Sequence, residues 1–224
     1  FVEGLARDQV EFGVALLGGD TVSTPGPASF SITLMGWAAK GRIVGRAGAQ
    51  PGDLVFVTGT VGEGWLGLRA ARELLHLEPA RLAALVEHYR RPLPRTAFAT
   101  AILEHASAAL DVSDGLIGDL GHLARASGVG LEMQLESLPL SLAAQAWFDG
   151  RADPVHALSQ LATGGDDYEI VFTARPGQES ALQREAERLH LRLTRVGEVK
   201  AGEGVQARYL GEPAAVEQTG WVHR

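Results

Sequence analysis

Apolar and polar positions alternate with helical spacing over residues 1–12, where Phe1, Leu5 and Val10 are apolar and Glu3, Arg7 and Asp8 polar. Val14 to Leu17 is a short apolar run that stops at Gly18-Gly19-Asp20-Thr21, which predicts a buried strand opening into a glycine turn. Phe30, Ile32 and Leu34 alternate with Ser29, Ser31 and Thr33, the period of a strand over 29–37. Residues 38–52 carry glycines, Arg/Lys and Pro51-Gly52 and read as a connection between domains. Further strands are predicted at 53–57, 130–135, 168–173, 191–199 and 205–210, and a short apolar run at 108–110 leads into another turn. Helices are predicted at 63–75, 79–91, 96–106, 116–127, 141–148, 154–163 and 178–189. The alternation predicts an α/β chain of α+β layers, with mixed sheets covered by helices.

Composition narrows the chemistry. The chain has 224 residues, 46% hydrophobic and 21% charged, enough to bury a core without disulfides or metal staples. It has no cysteine, so disulfides, thiolate metal sites and a cysteine nucleophile are ruled out. The formal net charge of -7 and the lack of a long basic run argue against a nucleic-acid binder. No apolar stretch reaches the length of a membrane span, and no signal peptide is visible, so a cytoplasmic location is expected. The chain starts at Phe1 rather than Met, and it is expected to be a fragment.

Three glycine and aspartate turns border predicted strands. The first is Gly18-Gly19-Asp20-Thr21, where paired glycines let the backbone approach a ligand and Asp20 and Thr21 offer hard oxygens; an ordinary turn has the same composition. The second is Asp111-Val112-Ser113-Asp114-Gly115. Ser113 or Asp114 fits a plain helix N-cap. That reading leaves Asp111 unexplained, and two close carboxylates repel unless a cation or proton lies between them. Mg²⁺ suits a carboxylate-rich site that holds phosphates. Asp119, on the following helix, reads as a solvated or capping residue. The third is Gly164-Gly165-Asp166-Asp167-Tyr168-Glu169, either an acidic loop or a ligand site, with acids that β-strands disfavour.

Arg46, in the glycine-containing linker, could fork onto a phosphate or simply be solvated. No GxxxxGK[ST] occurs; the glycine-rich stretch from Thr58 to Gly64 lacks the lysine of a P-loop. No HExxH occurs, and Ser113 has no histidine partner in the sequence that would make a hydrolase triad. Trp221, near the C-terminus, is either a packing anchor or a ring that stacks on a flat ligand.

Taken in order, these segments resemble thiamine-monophosphate kinases. The stretches that carry the resemblance are Leu17 to Thr21, Gly41-Arg42, Arg46 to Asp53, Val57 to Gly59, Arg91-Pro92 with Pro94-Arg95, Leu110 to Leu116 with Asp119-Leu120, Gly164 to Glu169, and Gly220-Trp221 with His223. Val22 replaces a usual threonine, and Asp166 stands where that family usually has Glu. The resemblance implies an aminoimidazole-ribotide synthetase-like two-domain architecture with the N-terminal third missing. Residues 1–40 would be the remainder of an N-terminal ATP-binding and dimerisation domain, and 41–224 a C-terminal α/β domain. It also implies a homodimer, ATP and Mg²⁺, and γ-phosphoryl transfer to thiamine monophosphate to give thiamine diphosphate. Gly19, Asp20, Arg46 and Ser113 would bind ATP, Asp20, Asp111 and Asp114 would hold Mg²⁺, and Asp166 and Trp221 would meet the substrate. The family's first acidic segment lies upstream of these residues, so this stretch alone is expected to be inactive. The alternatives are another ATP-using enzyme of the superfamily, such as a selenophosphate synthetase or a hydrogenase-maturation relative, and a nucleotide-binding scaffold without catalysis.

Overall fold

The computed structural model describes residues 1–38, 40, 41, 43–216 and 220. The chain divides into two compact units, Phe1–Gly41 and Arg42–Arg224. In the first, α1 (Val2–Phe12) ends at Gly13, whose left-handed backbone (φ 64°) lets the Val14 amide bond back to the Gln9 carbonyl. The Phe1 and Phe30 rings meet at 4.5 Å between centroids. The strands expected at 14–17 and 29–37 are not formed. Leu16, Leu17, Phe30, Ile32 and Leu34 are exposed, and no described residue of this unit pairs in a ladder. Alternation is a local signal, whereas a strand exists only where another backbone accepts and donates its hydrogen bonds.

The second unit contains β1 (Leu54–Thr58), α2 (Glu63–Ala71), α3 (Pro79–Arg90), α4 (Ala99–His105), β2 (Ala106–Val112), α5 (Leu116–Ser127), β3 (Gly130–Gln134), α6 (Leu142–Asp149), α7 (Pro154–Thr163), β4 (Glu169–Ala174), α8 (Glu179–Arg188), β5 (Leu193–Lys200), β6 (Gly204–Tyr209) and β7 (Glu212–Pro213). One mixed sheet runs β2-β4-β1-β5-β3-β6-β7, in which the β3–β6 pair is parallel and the others antiparallel. β1 is an interior strand and buried along its whole length. Its Val55 and Val57 face a core with Val112, Val171 and the α5 residues Leu116, Leu120 and Leu123. Leu54 and Phe56 face the opposite core with Phe172, Phe98, Ile102 and Leu182. Period two thus serves a sheet covered by helices on both faces, the layered architecture expected from the sequence. Each large side chain buried this way contributes about 1.5–3 kcal/mol relative to exposure. A third cluster, with Leu66, Leu85, Trp147 and Leu161, joins α2, α3, α6 and α7.

Because β4 lies antiparallel between β1 and β2, the C-terminal ends of β1 and β2 and the N-terminal end of β4 share one edge of the sheet. The loop after β1, the turn after β2 and the turn before β4 therefore meet there. Along the open edge of β2, the Ala109 amide bonds to the Gly45 carbonyl at 2.9 Å. Ser127, at the end of α5, accepts from the Gly48 and Ala49 amides and donates to the Arg46 carbonyl, all at 3.2 Å. This places the exposed Arg46 beside the start of the sheet rather than loose in a linker.

Candidate active site

The second and third acidic turns are held in register. Beyond the β2–β4 ladder, where Asp111 lies opposite Ile170, the Tyr168 amide bonds to the Val112 carbonyl (2.8 Å) and the Asp166 amide to the Ser113 carbonyl (2.9 Å). The approach is so close that a side chain on Gly165 would come within 2.6 Å of the Ser113 carbonyl oxygen. One on Gly115 (φ 114°) would come equally close to the Thr163 carbonyl oxygen. Glycine at these two places is what allows backbone to lie on backbone.

The carboxylates at this edge have different jobs. Asp111 is exposed on the edge strand, and Asp114 is half-buried at the turn. Asp166 adopts a left-handed backbone (φ 69°), rare for a non-glycine residue, and accepts a hydrogen bond from the Tyr168 hydroxyl at 3.2 Å. Burial, then the charge of Asp166 and, more weakly, of Asp111, hold the Tyr168 hydroxyl above its ordinary value. Asp119 is buried, and its Oδ2 accepts from the Ser113 amide (3.0 Å) and the Asp114 amide (3.1 Å). It is a cap and not solvated; burial pushes its carboxyl up to about 6, with Asp114 and Asp111 adding to the rise. Asp114, Asp119 and His122 also bring one donor atom each within 4.8 Å of one another. Hard carboxylate oxygens dominate this edge, a donor set that fits Mg²⁺ or Mn²⁺.

Asp167 points inward. It is 1% exposed, and its two oxygens accept from the Gly62 amide (2.8 Å) and the Gly64 amide (2.9 Å). These amides lie at the N-terminus of α2, where a P-loop would present them to phosphate. Here an internal carboxylate has taken them. Burial pushes the Asp167 carboxyl up to about 8, against the two amides that favour its anion. The folded state thus holds a proton that the unfolded chain releases near pH 4. This contribution to stability is full below about pH 4 and fades as pH rises toward 8. Asp167→Asn removes the titration and turns an NH₂ toward one amide. The urea midpoint of the variant is expected to be lower at pH 5, and to change less between pH 5 and pH 8 than that of the parent.

Glu169, also 1% exposed, is bound by the Thr58 hydroxyl (2.7 Å), by Arg95 Nε (2.7 Å) and by Arg95 Nη2. The hydrogen bonds to Glu169 hold the Arg95 guanidinium above its ordinary value, against desolvation. This pair ties the segment before α4 to the first residue of β4 and so braces the third turn from behind.

Of the residues proposed from sequence, Asp111, Ser113, Asp114 and Asp166 come together. Gly19 and Asp20 belong to the first unit, where Asp20 is exposed and its Oδ1 accepts from the Thr21 amide at 2.8 Å. Trp221, His223 and Arg42 lie outside the described residues; Gly220 packs against the Asp114 carbonyl and the Gly118 Cα.

A family model for the AIR synthase related protein, C-terminal domain, matches residues 50–210. The chain belongs to this family. The site just described lies inside that AIR synthase related domain. The chain is 44% identical to the thiamine-monophosphate kinase of Caulobacter vibrioides, over all 224 of its residues and 62% of the relative. It is similar to the crystal structure of thiamine-monophosphate kinase from Stenotrophomonas maltophilia K279a, with 38% identity and a TM-score of 0.69 over 79% of this chain and 56% of that one. A second solved structure, AaThiL complexed with AMPPCP and TMP, is 35% identical with a TM-score of 0.66 over 82% of this chain and 55% of that one. The chain thus spans less than two thirds of the length of these relatives, and the resemblance read from its motifs extends along all of it. Among the described residues no helix is long and apolar enough to cross a membrane.

Two features of the AIR synthase related domain escape a reading of the sequence, the inward carboxylate of Asp167 and the Arg95–Glu169 pair, whereas for Asp119 the structure selects the cap from the two readings the sequence left open. Adjacent acids at 166 and 167 were the visible signal for the first. One of them faces its neighbour's loop and the other does not.

Proposed function

We propose that the full-length protein phosphorylates thiamine monophosphate to thiamine diphosphate, taking the γ-phosphoryl group of ATP directly. The observation that supports this reading is the meeting of the turns Asp111–Gly115 and Gly164–Tyr168 in a chain that matches thiamine-monophosphate kinases from end to end. AMPPCP, an ATP analogue, and TMP in the AaThiL complex are the ligand pair such a reaction needs.

Asp111 and Asp114 would hold Mg²⁺, and Asp20 would also bind Mg²⁺. The bound ion would supply charge neutralisation on ATP oxygens. Two polyanions meet in this reaction, and Asp111, Asp114 and Asp166 add negative charge of their own. Arg46 would contribute a fixed cation that forks onto phosphate oxygens. Ser113 would hold a nucleotide oxygen from the turn that Asp119 caps. Asp166, held in register by the Ser113 carbonyl, would orient the acceptor, as would Trp221. A homodimer in the cytoplasm is part of the same proposal. Incubation of the full-length protein with ATP, Mg²⁺ and thiamine monophosphate is expected to yield thiamine diphosphate and ADP in equal amounts. ADP with inorganic phosphate and no thiamine diphosphate would refute the acceptor.

A further inference from the structure

We propose that Asp119 is a positioning residue for the metal-binding turn, acting through its two hydrogen bonds and not as a metal ligand. The inference rests on the reading of Asp111 and Asp114 as metal ligands. Asp119 sits in the first turn of α5, where a carboxylate ordinarily caps its own helix. Instead it reaches back past the helix start: its Oδ2 alone accepts from the amides of Ser113 and Asp114, both outside the helix. The Asp119 amide is itself bonded to the Gly115 carbonyl at 2.9 Å, which closes the turn onto α5. The residue is 3% exposed, so its carboxylate has little room to swing elsewhere. Fixing two successive amides sets the backbone of Ser113 and Asp114 before any cation arrives. Outer groups that orient ligands in this way are worth about 10–100-fold in metal affinity or activity.

One oxygen accepts both bonds, and this gives a sharp test. Asp119→Asn keeps an acceptor oxygen and loses only charge, whereas Asp119→Ala loses both bonds. Asp119→Leu, nearly isosteric with Asn and apolar, gives the same contrast if the alanine variant does not fold. Mn²⁺ binding to the full-length protein, followed by the loss of the free-ion electron paramagnetic resonance signal, is the direct readout. The half-saturating Mg²⁺ concentration in the kinase assay is the second. The Asn variant is expected to bind Mn²⁺ within about fivefold of the parent, the cost of one partly screened charge. The Ala or Leu variant is expected to bind about 10–100-fold more weakly.

Parent-like Mn²⁺ affinity in a folded Ala or Leu variant would overturn the proposal and leave Asp119 a purely structural cap. Equal losses in Asn and Ala would overturn it too, and would make Asp119 a direct ligand with Asp114 and His122, whose donor atoms lie within reach of one ion. A parent that makes no thiamine diphosphate while the Mn²⁺ contrast holds would sink the functional reading and leave this one standing.

Discussion

Replacement of Gly59 by alanine is expected to lower stability by about 2–5 kcal/mol, the sum of a left-handed backbone that costs an L-residue about 1–2 kcal/mol and overpacking of about 1–3. Gly59 has φ 60°, and its amide bonds to the Arg192 carbonyl at 2.8 Å, so the backbone cannot rotate without losing that bond. A methyl group there would fall inside the carboxylate of Glu169. That carboxylate cannot swing aside, because the Thr58 hydroxyl and the Arg95 guanidinium hold it in a buried pocket. Separating a buried pair leaves an uncompensated charge, which is itself strongly destabilising. Domains of this size are stable by about 5–15 kcal/mol, so the loss is a large share of the total. Urea unfolding of parent and variant measures it. An unchanged midpoint would show that Glu169 and Arg95 move aside freely and that the brace behind the third turn is slack.

Much of the second unit was legible because its signals are local. β1 and β4 contain apolar runs, Leu54 to Val57 and Ile170 to Phe172, and α5 shows the spacing of Leu116, Leu120 and Leu123. Helix α2 ends at Ala71 and not at 75, because Glu73 turns into the left-handed region at φ 58°. The alternation at 29–37 failed as a guide, since nothing in sequence says which backbone completes a ladder. The second and third turns could be read, because glycine beside aspartate at a strand end favours a turn, whereas the strand expected before Gly18-Gly19-Asp20-Thr21 is not formed. What each acid does could not be read. Asp167 binds amides 103 and 105 positions away, and Glu169 binds Arg95 across 74. Such partners are fixed by the order of strands in the sheet, which local spacing does not encode.

In the proposed reaction the carboxylate of Asp111 would serve phosphoryl transfer and not the fold. Asp111→Asn keeps the size of the side chain and leaves the β2–β4 ladder intact, and the position is exposed. Its stability is expected to stay within about 0.5 kcal/mol of the parent, as for most surface changes. Its turnover is expected to fall about 100-fold or more, which corresponds to about 3 kcal/mol of lost charge stabilisation. Thiamine diphosphate formation by the full-length parent and by Asp111→Asn, compared at limiting and at saturating Mg²⁺, is the most direct measurement. A steep loss that extra Mg²⁺ recovers only in part is expected. Equal rates for the two proteins at limiting Mg²⁺ would contradict it.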